Sequence, residues 1–131
     1  MIGLDSNILV RYFTQDDPLQ AAIATEVIEQ RLSEGEPAFI SVVTMAETAW
    51  VLDRHYHFSR AQIATAIESA LSTAALLVED EAEVFTALIA LRDGHGEFAD
   101  ALIGALCAKA GCSRVLSFDR GALRLPGFEH P

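Results

Sequence analysis

Met1-Ile2-Gly3-Leu4-Asp5-Ser6-Asn7-Ile8-Leu9-Val10 opens the chain, and its reading decides the fold. An apolar run meets a carboxylate, then two small polar residues, and the apolar residues resume. Ile2–Asp5 reads as a short buried strand and Ser6 onward as the start of a helix. Asp5 then stands at the carboxyl end of a strand, where open α/β sheets gather their ligands. Leaving one ionised carboxylate buried and unpaired costs several kcal/mol, so it calls for compensation. A plainer reading makes Asp5 only the N-cap of a helix over Ser6–Arg11.

Working outward, short apolar stretches alternate with helical patterns. Asp17-Pro18 reads as N-cap and first helical position, with Gln20 three residues after the cap. That helix places Ala22, Ile23, Val27 and Ile28 on one face and stops near Gly35. Ala38–Ser41 is a second strand, and Ser41 caps a helix from Val42 to about His55. Ser59-Arg60-Ala61-Gln62 is a capping box opening a helix to about Ser72. Ala75–Val78 is a third strand. Asp80 with Glu83 repeats the box before a helix to Arg92, ending at Gly94. Another helix runs from about Glu97 to Gly111. Arg114–Phe118 is a fourth strand, and a weak last one lies near Phe128. The alternation predicts an α/β domain with a short parallel sheet covered on both faces, and one domain over residues 1–131.

The composition narrows the function. Nine basic side chains face nineteen acidic ones, a formal net charge of −10. That argues against a domain gripping nucleic acid over a broad basic face, but not against an enzyme with a small metal-loaded site. The two cysteines, Cys107 and Cys112, match no zinc spacing and are expected to be reduced and structural, as in a cytoplasmic protein. No apolar stretch approaches the roughly 20 residues of a membrane span. Strand-like sequence from Ile2 leaves no expected room for a leader peptide.

Four acids occupy unusual positions. Asp5 ends the first strand and Asp119 follows Val115-Leu116-Ser117-Phe118. Glu47 shares a helical stripe with Val43, Trp50 and Val51, bordered by Thr44. Asp100 faces the side of Ile103, Gly104 and Cys107, with Glu97 one turn earlier. Each has an ordinary explanation as a cap, a turn former or half of an arginine pair. One shared cation explains all four together. Oxygen-only donors suit magnesium, manganese or calcium, and the missing D-x-D-x-D-G pattern argues against an EF-hand loop. Magnesium held by carboxylates serves phosphoryl chemistry.

Leu4-Asp5-Ser6-Asn7, Ile40-Ser41-Val42-Val43-Thr44-Met45-Ala46-Glu47, Phe98-Ala99-Asp100-Ala101-Leu102-Ile103 and Phe118-Asp119 come in this order over nearly the whole chain. In this the chain resembles the PIN-domain ribonucleases, and in particular the VapC-type toxins of bacterial toxin–antitoxin pairs. The resemblance implies a PIN-like three-layer α/β/α sandwich with a short, mostly parallel central sheet. It implies a Mg2+- or Mn2+-dependent endoribonuclease, with Asp5, Glu47, Asp100 and Asp119 catalytic and Asp5, Asp100 and Asp119 holding metal. Ser6, Asn7, Thr44 and Glu97 would support the site; many relatives carry aspartate where Glu97 stands. It also implies a homodimer and a small antitoxin with a DNA-binding domain, whose arginine often enters the acidic pocket.

Arg11, Arg120 and Arg124 follow Asp5 or Asp119 and are candidates for RNA-phosphate contacts. Arg54-His55-Tyr56-His57, at a helix C-terminus, reads first as a cap and second as an RNA contact. Three other readings compete. A PIN-fold RNA-processing nuclease need not belong to a toxin pair. An aspartyl-nucleophile phosphatase would use Asp5, yet expects a second Asp where Asn7 stands. A non-catalytic module would retain the fold and have lost part of the acid set.

Overall fold

β1 (Ile2–Gly3), β2 (Ala38–Ile40) and β3 (Leu76–Val78) pair side by side, all parallel, in the order β1-β2-β3. The computed structural model describes every residue from Met1 to Pro131 and resolves into two compact units, Met1–Glu79 and Asp80–Pro131. The first unit holds this sheet with α1 (Ser6–Thr14), α2 (Pro18–Glu26), α3 (Val42–Arg54) and α4 (Arg60–Ser72). Parallel neighbours require long crossovers, which these helices supply. Leu9, Ile40, Met45 and Leu52 are fully enclosed in its core.

The sheet is not buried on both faces, as the sequence reading expected. Ala38, Ile40, Leu76 and Val78 are buried, whereas Phe39 and Leu77, paired in register, are exposed. A strand turns alternate residues to opposite faces, so one face of the expected α/β sandwich is tightly closed and Phe39 and Leu77 on the other stay partly open to solvent. Ile2 is also exposed, so the opening strand is not a buried run.

The caps follow the local sequence closely. Asp17 accepts the Gln20 N–H at 2.9 Å with Pro18 in the first turn of α2. Ser41 accepts the Thr44 N–H at 3.1 Å, and Ser59 and Gln62 form a complete capping box. The face expected for α2 is wrong, however. Ala21, Ala24 and Ile28 are buried, while Ala22 and Ile23 are exposed. The helix passes into a π-helical turn over Val27–Arg31, where the Leu32 N–H reaches the Val27 carbonyl at 3.0 Å. The buried residues keep the ordinary i, i+3, i+7 spacing of an α-helix, so the enclosed face is simply turned round the axis from the expected one. The turn also ends the helix before Gly35.

The second unit packs α5 (Glu81–Arg92) against α6 (Phe98–Lys109). β4 (Val115–Leu116) pairs in parallel with β5 (Phe128–Glu129) as a two-stranded sheet, with a 3-10 turn at Ala122–Arg124 between them. Val84, Leu88, Leu91, Phe98, Leu102 and Leu125 form its core. The second capping box does not form. Asp80 has φ 48° and makes no capping hydrogen bond; its carboxylate pairs instead with Lys109, which also lies 3.9 Å from Glu83. Gly104 has a packing role, because a Cβ there would stand 2.8 Å from Cε1 of Phe128. Cys107 and Cys112 are free thiols, and no helix is long and apolar enough to cross a membrane.

Candidate functional site

In the first unit, chemistry gathers around Ser6. Asp5 is extended (φ −83°, ψ 162°), and its Oδ1 accepts the Ser6 N–H at 2.8 Å. The capping role is therefore real, and it uses one carboxylate oxygen. Ser6 is buried at the start of α1, and its hydroxyl donates to Glu47 Oε1 on α3. One serine thus links the carboxylates of residues 5 and 47. Asn7 stands beside it, with its Oδ1 3.5 Å from the Ser6 hydroxyl.

The burial argument made from sequence fails for three of the four acids. Asp5, Glu47 and Asp119 are exposed and only Asp100 is partly buried. The apolar stripe assigned to Glu47 is itself in solvent, with Val43 71% and Trp50 50% exposed. The enclosed face of α3 carries Met45, Thr48, Ala49 and Leu52. Ile103, taken as a mark of the buried side of α6, is likewise half-exposed. What sets these acids apart is how they are grouped: Ser6 joins Asp5 to Glu47, and Asp100 feels the charges of Asp119 and Glu97. None of Asp5, Glu47, Asp100 and Asp119 belongs to an ion pair.

A groove of about 510 Å³ opens beside Ser6 and Glu47, lined also by Asn7, Arg11, His55 and Tyr56. Arg11 was expected to flank the acids, and the groove brings it there. Tyr56 and His55 were read first as helix-capping residues; here they line the same groove. Thr44 instead belongs to the α3 cap, accepting from the Ser41 hydroxyl at 3.1 Å. Glu79 went unnoticed in the sequence. It follows β3 as Asp5 follows β1, and its Oε1 accepts the Val42 N–H at 2.9 Å at the start of α3. Its position just past an apolar strand was the signal available.

In the second unit, Asp100 projects from the first turn of α6. Burial, then the negative charges of Asp119 and Glu97, push its carboxyl above the ordinary carboxylate range. These acids are close enough to repel one another. Asp119 forms a turn, its Oδ1 accepting from Gly121 N–H at 2.7 Å and Ala122 N–H at 3.3 Å. Arg120 and Arg124 are exposed beside it. Within neither unit do three His, Cys, Asp or Glu side chains gather tightly enough to hold an ion by themselves. The donor chemistry nevertheless fits a hard divalent cation: oxygen only, unneutralised, and mutually repelling at Asp100.

Comparison with known proteins gives one family. A model of the PIN domain matches residues 2–127, through both units. No curated protein matches the chain. PIN domains are generally nucleases and generally use divalent metal ions. With its short parallel strands, its six α-helices and a match over nearly its whole length, the chain belongs to the PIN domain family.

Proposed function

We propose that this protein is a Mg2+- or Mn2+-dependent endoribonuclease and the toxin of a toxin–antitoxin pair, acting in the cytoplasm. The observation that carries the nuclease reading is the grouping of carboxylates in a PIN domain, Asp5 with Glu47 through Ser6 and Asp100 beside Asp119 and Glu97. Asp5, Asp100 and Asp119 hold the cation in this reading, and each of Asp5 and Asp119 retains one oxygen outside its own cap or turn. Glu47, oriented by the Ser6 hydroxyl, takes up a proton from the attacking water. Glu97 adds negative charge beside Asp100. A bound divalent cation supplies charge that polarises the phosphodiester and lowers the pKa of water. Hydrolysis in this way leaves 5′-phosphate and 3′-hydroxyl ends.

The toxin assignment rests on the sequence resemblance, with the charge balance as support. A chain of net charge −10 favours a basic partner, as an antitoxin offering arginine would be. A homodimer is part of the same reading. The test is cleavage of an RNA panel by the purified chain with Mg2+, with Mn2+ and with EDTA, followed by sequencing of the RNA ends. Loss of cutting in EDTA and in Asp100→Asn is the expected result. Equal cutting in either condition overturns the mechanism. Growth arrest on induction, relieved by co-expressing a short neighbouring reading frame, tests the toxin role.

A further inference from the structure

Arg11 is held on three sides before any substrate arrives. Its Nε donates to Gln20 Oε1 at 2.7 Å, and its Nη1 donates to Tyr56 Oη at 2.8 Å and to Asp16 Oδ1 at 3.2 Å. The Tyr56 hydroxyl in turn donates to Asp16 Oδ2 at 2.8 Å, and the Thr14 hydroxyl to Asp16 Oδ1 at 2.9 Å. Arg11 is the only lysine or arginine lining the groove that holds Ser6, Asn7 and Glu47. Its Nη2 has no partner within the chain.

We propose that the Arg11–Asp16–Tyr56–Gln20 network presents Arg11 as a preorganised contact for one phosphodiester group of a single-stranded RNA lying in this groove, with Tyr56 as a positioning residue. This rests on the endoribonuclease reading above. A free arginine loses much side-chain freedom when it binds. Here that ordering is already present, because Nε and Nη1 are both engaged. The same engagement limits the contact. With Nε and Nη1 occupied, no two-nitrogen fork remains, and a non-bridging phosphate oxygen is met by the Nη2 hydrogens alone. In so acidic a chain, one fixed cation in the groove decides where the RNA backbone runs.

The experiment is fluorescence anisotropy of a labelled single-stranded RNA oligonucleotide, titrated with the full chain in EDTA over a range of KCl. Chelation separates binding from cleavage and from metal. Arg11→Gln is expected to weaken binding about tenfold and to reduce the slope of log K against log salt by ~0.7, the loss of one phosphate contact. Tyr56→Phe is expected to weaken binding several-fold in the wild-type background and not at all in Arg11→Gln. If Arg11→Gln does not fold, Arg11→Lys carries the test: the slope is retained and the coupling to Tyr56 disappears. An unchanged slope in Arg11→Gln, or additive effects of the two substitutions, means a purely structural brace and overturns the inference alone. A wild-type chain that binds no RNA in EDTA overturns the inference alone, because the endoribonuclease reading requires the divalent cation that EDTA removes and is judged by the cleavage assay.

Discussion

Asp100 shows best how single residues behave here. Its carboxyl is raised by burial and by the charges of Asp119 and Glu97. A group whose folded pKa is raised favours the folded state fully below its unfolded pKa, and that contribution is lost as pH rises through the folded value. At neutral pH the ionised Asp100 therefore burdens the metal-free protein. Asp100→Asn is expected to stabilise the protein in EDTA at pH 7 by less than about 1 kcal/mol after solvent screening, seen as a raised melting temperature, and to give no gain well below the carboxylate range. Adding Mg2+ should reverse the order, stabilising the wild type by ligand linkage and the variant less. Thermal melts over pH, with and without Mg2+, check both statements. At this scale the burial expected from the sequence holds only for Asp100, and there only in part. Asp5, Glu47 and Asp119 are exposed, and what marks the four is the company they keep, Ser6 between Asp5 and Glu47 and Asp119 near Asp100. Solvent exposure depends on what packs over a side chain, which helical spacing alone does not report.

At the scale of elements, two substitutions test the packing. Thr48 is buried on α3, and its hydroxyl has no hydrogen-bond partner. Replacing an orphaned hydroxyl with a methyl group removes its desolvation cost, so Thr48→Val is expected to stabilise the protein by about 1 kcal/mol in urea unfolding. Gly104→Ala tests the opposite case. Alanine gains about 1 kcal/mol of helix propensity over glycine, but its Cβ would meet the Phe128 ring at 2.8 Å. Overpacking typically costs 1–3 kcal/mol, so a net loss on the order of 1 kcal/mol is expected, relieved in the double variant with Phe128→Ala. Caps at Asp17, Ser41 and Ser59 were legible because the side chain and its N–H partner lie within three residues of each other. The cap at Asp80 failed because Lys109, twenty-nine residues away, takes its carboxylate. The buried face of α2 was misread because its stripe, Ala21, Ala24 and Ile28, is mostly alanine, and local spacing does not tell those alanines from the exposed Ala22.

At the scale of the molecule, charge dominates. Nineteen acids against nine bases give −10, and self-repulsion weakens the folded state. Raising NaCl is expected to increase the melting temperature of the metal-free chain by a few degrees as this repulsion is screened. A flat response in calorimetry between low and high salt would contradict it. In the proposed nuclease Asp5 and Asp119 both serve the cation. Asp5→Asn and Asp119→Asn should therefore each abolish RNA cleavage, and the double variant should be no worse than either alone, as for groups acting together. Residual activity that falls stepwise in cleavage assays would show separate roles.

The sequence by itself determined the alternation of strands and helices, the parallel pairing it implies, most helix starts, and four acids worth following. Those follow from periodicity and from caps, which act over a few residues. Only the tertiary structure decided which faces are enclosed, that Ser6 joins Asp5 to Glu47, that Asp16 and Tyr56 hold Arg11, and that Asp100 feels Asp119. Each of these depends on contacts between residues distant along the chain or on what covers a surface, and local spacing encodes neither.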